Sequence, residues 1–208
     1  MEEKLILFDW GNIVEADQIG YTNRAAWIDL VHACGSKESD IDKIFNILSK
    51  YKLTAITNTK DFEKAFNGLA YDFNFNVTFD EFVKIYKKIF DKIDYYQEVA
   101  DYEVSLKDKC RVGILSNLII FDKERLDRQV DLSKYDYAFL SFELGCRKPD
   151  IEIYQKIQDQ LSIKKENILF IDDKKKNIDA AKEFGWNAVQ VTGLELDKIK
   201  EVCENFIK

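Results

Sequence analysis

The chain is poor in residues that break or staple structure: its 208 residues include one proline, eight glycines and one histidine. So little proline and glycine excludes collagenous, Pro-rich and Gly/Ser linker segments, and no repeat or low-complexity tract is present. The four cysteines, Cys34, Cys110, Cys146 and Cys203, stand far apart with no CxxC pair, and His32 is the lone histidine. Neither a zinc site nor a disulfide framework is indicated, and the cysteines read as buried, reduced thiols. Positive charge is in deficit, with 31 Lys and Arg against 38 Asp and Glu, a net charge of −7 with His neutral. Such a surface repels a phosphodiester backbone, which excludes a general nucleic-acid binder. Long apolar runs are missing too: the first, Leu5 to Phe8, is far short of the ~18 residues of a membrane span or of a signal segment. A cytoplasmic protein with no membrane partner is expected. Nothing in the sequence sets an oligomeric state.

Apolar material is nonetheless plentiful, at 46% hydrophobic and 13% aromatic residues, enough for a substantial core. Short continuous apolar runs at Leu5–Phe8, 111–115, 137–140, 168–171 and 188–191 read as buried parallel strands. Helical stretches separate them, so the fold class is α/β with a parallel sheet. Ile151, Tyr154, Ile157 and Leu161 mark one helix, opened by Pro149 near its first turn; Ile178, Ala181 and Phe184 mark another, closed by Gly185. Between the first strand and Ile93 the apolar spacing is helical throughout, and Thr78 with Glu81 forms a capping-box signature. About four helices, over residues 15–94, therefore interrupt an α/β domain made of residues 1–14 and 95–208.

In a parallel sheet, ligands gather beyond the carboxyl ends of the strands. The polar residues there are Asp9, Ser116-Asn117 and Asp172-Asp173, with Lys148 in the loop after the 137–140 strand. Asp9 and the Asp172-Asp173 pair supply three carboxylates able to converge on a hard cation such as Mg²⁺, while a lysine and a serine hydroxyl are the usual company of a phosphate.

Four segments, in order, resemble the motifs of the haloacid dehalogenase-like hydrolases. They are Phe8-Asp9-Trp10-Gly11-Asn12; Ile114-Leu115-Ser116-Asn117; Arg147-Lys148-Pro149-Asp150 with Ile153-Tyr154; and Phe170-Ile171-Asp172-Asp173 with Asn177 and Ala181. The resemblance covers the whole chain and implies a Rossmann-like parallel sheet with an inserted helical cap. It also implies a Mg²⁺-dependent phosphatase for a small phosphorylated metabolite, a sugar phosphate among the options. Asp9 would be the nucleophile, and Mg²⁺ would be held by Asp9, the Gly11 carbonyl, Asp172 and Asp173. Ser116 and Lys148, with backbone amides around Trp10, Gly11 and Asn117, would hold the phosphoryl oxygens.

The departure from the family pattern is Gly11, where its phosphatases usually carry a second aspartate that protonates the leaving group. The glycine makes motif I resemble a branch of the glucose-1-phosphatase type. Glu15 and Asp17 are candidates for a substitute carboxylate, against the plainer reading as solvated hinge residues. Lys174-Lys175-Lys176 reads as a solvated first helical turn, against the alternative of positive potential at the site mouth, and Arg24 as a surface arginine, against a contact for an anionic substrate group. His32 reads as structural. Two alternatives remain at this level. Family dehalogenases also lack the second aspartate, although they need no cation and usually carry an aromatic residue at the position of Gly11. A non-catalytic binding protein on a phosphatase scaffold is the other, with the survival of Asp9, Lys148 and both motif IV aspartates against it.

Overall fold

Five short apolar runs become the five strands of a single parallel sheet, in a computed structural model that describes residues 2–11, 13–14 and 22–208. The strands are β1 (Leu5–Phe8), β2 (Arg111–Ser116), β3 (Tyr137–Leu140), β4 (Ile168–Asp172) and β5 (Asn187–Gln190), in the spatial order β3-β2-β1-β4-β5. Successive residues of a strand point to opposite faces. Accordingly Ile6, Phe8, Val112, Ile114, Leu169 and Ile171 enter one core, and Leu5, Leu7, Leu115, Ile168 and Phe170 the other. Burial on both faces is why these runs are continuously apolar. Gly113 is required by packing, since a Cβ there would lie 2.9 Å from the Leu7 side chain and from Tyr137.

Register sets the chemistry. Phe8 pairs with Ile114 on one side and Ile171 on the other, so Asp9, Ser116 and Asp172 emerge together at the carboxyl edge of the three central strands.

Between β1 and β2 the chain forms α1 (Asn23–Ala33), α2 (Ile41–Lys50), α3 (Thr59–Phe73) and α4 (Phe79–Phe90), then α5 (Gln97–Ser105). The expected capping box opens α4: the Glu81 amide donates to Thr78 Oγ1 at 3.3 Å, and the Thr78 amide to Glu81 Oε2 at 2.8 Å. The helices α1 to α4 share an aromatic core in which Tyr86 stacks on Phe90 at 4.0 Å and Trp27 meets Phe90 edge-on at 5.1 Å. Ile119 and Phe121, from the segment after β2, join it, with Phe121 4.9 Å from the Phe62 ring.

The remaining helices are α6 (Lys123–Val130), α7 (Ser141–Leu144), α8 (Ile151–Gln158), α9 (Lys175–Phe184) and α10 (Leu196–Ile207). Gly185, at φ 106°, closes α9 as expected. Pro149 does not open α8: the helix begins at Ile151 behind Asp150 as N-cap, which leaves the proline, after a cis peptide bond, outside the first turn. All four cysteines are free thiols, but only Cys34, Cys146 and Cys203 are buried; Cys110 sits just before β2, where the chain is half-exposed. His32 is exposed near the end of α1, with its Nε2 2.8 Å from the Glu38 carbonyl. Among the described residues, no helix is long and apolar enough to cross a membrane.

One buried acid stands apart from the strand ends. Glu103 on α5 is fully buried, and its carboxylate accepts from the Tyr135 hydroxyl at 2.9 Å. Burial pushes its carboxyl well above the usual range despite that bond. An acid whose folded pKa is raised contributes its stability below the unfolded value and loses it as pH rises towards the folded one. Glu103→Gln keeps an acceptor for Tyr135 and has no proton to lose. Its stability relative to wild type should therefore climb by about 1.4 kcal/mol per pH unit above roughly pH 4.5, until the folded pKa is reached. Urea unfolding of both proteins at pH 5, 6 and 7 measures this; parallel curves would show that Glu103 is ionised in the fold.

Candidate active site

The site is built around a buried ammonium. Lys148 is 2% exposed, yet its Nζ donates to the Leu115 carbonyl and to Asp172 Oδ2, each at 2.7 Å, and forms an ion pair with Asp9 Oδ1 at 2.9 Å. The chain reaches this position through Asn117, whose side-chain amide pairs with the Lys148 backbone as a second peptide would. Its Nδ2 donates to the Lys148 carbonyl, and its Oδ1 accepts from the Lys148 amide, both at 2.9 Å.

Asp9 is buried at the end of β1, its amide still donating to the Ile171 carbonyl in the sheet. Its Oδ1 also accepts from the Trp10 amide and the Ser116 hydroxyl, each at 2.8 Å. The ion pair with Lys148 falls on the same oxygen. Burial pushes the Asp9 carboxyl up to about 6, against the pull of Lys148 and with Asp172 reinforcing the rise. Burial also works against Asp172, but Lys148, the Lys174 amide and Asn177 hold its carboxyl below the usual range. The Lys174 amide donates at 2.7 Å, and Asn177 Nδ2 reaches both carboxylate oxygens at 2.9 and 3.0 Å.

Asp173 completes an acidic cluster, with one oxygen of each of Asp9, Asp172 and Asp173 within 4.8 Å of the others. Three hard oxygen donors with one lysine against them suit a magnesium-like cation, which takes carboxylates together with water and ligand oxygens. The structure therefore brings together Asp9, Trp10, Ser116, Asn117, Lys148, Asp172 and Asp173. Gly11 lines the same cavity, of about 450 Å³. Asn12, Glu15 and Asp17 lie outside the described residues.

The far wall of this cavity comes from the helical segment: Asn23, Arg24 and Trp27 of α1, Phe45, Leu48 and Ser49 of α2, and the Leu53-Thr54 turn. Lys174 and Lys176 line it while Lys175 pairs with Asp179 at 2.6 Å, so the lysine run divides between the site and solvent. Sequence reasoning missed the clamp by Asn117 and the part played by Asp122. The latter is a buried carboxylate bonded to Tyr86 of α4 at 2.7 Å, to Arg125 at 3.0 Å and to the Ile119 amide at 2.9 Å. Asn117 answers Lys148 and Asp122 answers Tyr86 across more than thirty residues, so neither pairing has a local signal; only the Asp122–Arg125 pair, three residues apart, does.

A parallel sheet with carboxylates and a buried lysine at the ends of its central strands defines a class of hydrolase scaffold, and comparison with known proteins makes this specific. The chain belongs to the haloacid dehalogenase-like hydrolases, whose family model matches residues 10–191. It is 29% identical over 205 residues to a D-ribitol-5-phosphate phosphatase of Bacteroides thetaiotaomicron, covering 90% of this chain and 91% of that protein. Among solved structures, a predicted HAD-like hydrolase of Porphyromonas gingivalis superposes with a TM-score of 0.74 at 20% identity, covering 98% of each chain. A HAD family enzyme of B. thetaiotaomicron, solved with magnesium and inorganic phosphate, gives 0.72 at 19% identity, over 93% of this chain and 96% of that one.

Removing one partner of a buried ionic cluster leaves an uncompensated charge, at a cost of about 3–5 kcal/mol. Lys148→Met should show a loss of that size in denaturant unfolding at pH 7 without added divalent cation. The loss should shrink at pH 5, because Asp9, pushed up to about 6, is then protonated in both proteins and no longer needs the ammonium. A loss independent of pH would mean that Lys148 acts through packing.

Proposed function

We propose that this protein is a Mg²⁺-dependent phosphatase that hydrolyses a small phosphorylated metabolite through an aspartyl-phosphate on Asp9. The observation that carries this reading is the cluster of Asp9, Asp172 and Asp173 set against buried Lys148, with Asp9 and Lys148 lining one cavity. The similarity to a D-ribitol-5-phosphate phosphatase over nine-tenths of the chain supports a phosphate monoester as substrate.

Bound among Asp9, Asp172, Asp173 and the Gly11 carbonyl, Mg²⁺ would screen the repulsion between carboxylate and phosphoryl oxygens. Asp9 attacks phosphorus in line, the alcohol departs, and water then cleaves the acyl phosphate to return the carboxylate and release inorganic phosphate. The donors that rest on Asp9 Oδ1, from Trp10, Ser116 and Lys148, turn to the phosphoryl oxygens and hold the charge that spreads over them. In this reading residues 15–94 are a cap over the strand ends of a core formed by residues 1–14 and 95–208. The acidic cluster favours this chemistry over halide displacement, which needs no cation, and over a binding role, which needs no nucleophile.

Phosphate release from a panel of sugar and polyol phosphates should require Mg²⁺ and should vanish in Asp9→Asn, whose amide is a poor nucleophile and a poor ligand. Full activity in excess chelator or in that variant overturns the proposal, and halide release from a 2-haloacid would move the protein to the dehalogenases.

Gly11→Asp tests the missing acid. With no other group protonating the departing oxygen, the new carboxylate should speed alkyl phosphates over activated aryl phosphates by up to ~10²–10⁴-fold. An unchanged alkyl-to-aryl ratio in a folded, metal-binding variant would mean that leaving-group protonation is not limiting.

A further inference from the structure

The cavity is charged unevenly, with more cations than carboxylates along its lining. Lys148 is committed to Asp9 and Asp172, and Asp122 is matched by Arg125. Arg24, Arg147, Lys174 and Lys176 line the same space, in a chain whose net charge is −7. Arg147, Lys174 and Lys176 are neighbours in sequence of Lys148 and of Asp172-Asp173, so they belong to the phosphoryl end. Arg24 does not, because it comes from α1 in the segment between β1 and β2, remote in sequence from all of them.

Its placement is unusual for a surface arginine. It occupies the first turn of α1, where a cation opposes the helix dipole. Among the described residues, α1 and α9 are the two α-helices with no acid in their first turn, and both begin at this cavity. The Arg24 guanidinium lies 5.3 Å from the centre of the Phe45 ring, another cavity residue, which provides a flat platform for it. Its carboxylate neighbour Asp42 is 4.0 Å away and 89% exposed, a pairing too loose and too wet to consume the guanidinium's donors. A planar fork on an aromatic support, facing a cavity that already has a lysine-lined phosphoryl end, suits a second anion on the same ligand.

We infer that the substrate is a phosphate monoester carrying a second anionic group, a carboxylate or another phosphate, remote from the scissile ester, and that Arg24 binds that group. The inference rests on the phosphatase reading above. Trp27, Phe45 and Leu48 supply the apolar wall along which the carbon chain between the two anionic ends would lie.

Two matched pairs of esters test it. 3-Phosphoglycerate and glycerol 3-phosphate differ by a carboxylate against a hydroxymethyl group, and fructose 1,6-bisphosphate and fructose 6-phosphate by a phosphate against a hydroxyl. The charged member of at least one pair should be preferred in kcat/KM by about 10–100-fold, mainly through a lower KM, as a charge-assisted contact predicts. Which pair shows the larger preference tells carboxylate from phosphate. The preference should fall with added salt, collapse towards unity in Arg24→Ala and recover in part in Arg24→Lys, with melting temperatures confirming that both variants fold. Equal kcat/KM within both pairs, or a preference that survives Arg24→Ala, overturns the inference and leaves the phosphatase reading standing. Failure to release phosphate from any of the four esters with Mg²⁺ present overturns both.

Discussion

A single buried ammonium organises the centre of this molecule. Through the Leu115 carbonyl, Asp9 and Asp172, Lys148 bonds to residues at the ends of β2, β1 and β4, the three central strands of the sheet. Parallel register brings Asp9 and Asp172 out side by side, and without a cation between them two carboxylates in a dry site repel. The lysine relieves that repulsion, but stability alone is a weak reason for such a cluster. Desolvating one ammonium and two carboxylates costs several kcal/mol per ion in real proteins, and apolar residues of similar volume are often as stable or better. What an apolar replacement would lack is a set of directed donors and acceptors at one point, and that is what a site for a charged ligand needs.

The demand for precision spreads outwards from this point. Lys148 approaches from an irregular loop, where a long side chain is hard to fix, and the Asn117 side chain removes that freedom by bonding both polar groups of the lysine's own peptide unit. Asn117 follows Ser116, which bonds Asp9, so one short segment after β2 orients both partners of the carboxylate. The segment then sends Ile119 and Phe121 into the aromatic core of α1 to α4 and ends at Asp122, which bonds Tyr86 of α4. Those helices are thereby joined to the segment that begins at Ser116 and Asn117 by packed side chains and a buried hydrogen bond. This coupling suits a cavity whose floor belongs to the sheet and whose far wall belongs to the helices.

Much of this was legible in the sequence because it depends on local rules. Each strand is a short apolar run, the α4 start carries Thr78 and Glu81 three residues apart, and the chemistry-bearing residues sit where strands end. The failures have equally local causes. Helix α5 hides its apolar stripe because a buried position is filled by Glu103, which is stable there through Tyr135, a partner 32 residues away. Helix α6 is Lys-Glu-Arg-Leu-Asp-Arg-Gln-Val, polar enough to pass for a loop, and its buried Arg125 makes sense only once Asp122 is known to be buried beside it. Pro149 fits the first-turn rule by type, but the demands of the Lys148 loop set the chain direction there, and α8 starts two residues later. Local pattern locates elements; which polar residue answers which other one is a property of the assembled loops.

The resting hydrogen bonds also bear on how the carboxylate would work. Two hydrogen bonds and the ion pair with Lys148 fall on Asp9 Oδ1, and a carboxylate oxygen so engaged is a weaker nucleophile because both of its lone pairs are drawn on. The Trp10 amide, the Ser116 hydroxyl and the Lys148 ammonium are also the groups that the proposed reaction assigns to phosphoryl oxygens. A phosphoryl group entering the cavity competes for them with better acceptors, and each donor it takes returns electron density to Asp9. Binding and activation of the nucleophile would then be one event. The same exchange explains why burial of Asp9 is tolerable in the absence of ligand: its charge is held by the donors that later hold the substrate, so the site needs little reorganisation when the phosphate arrives.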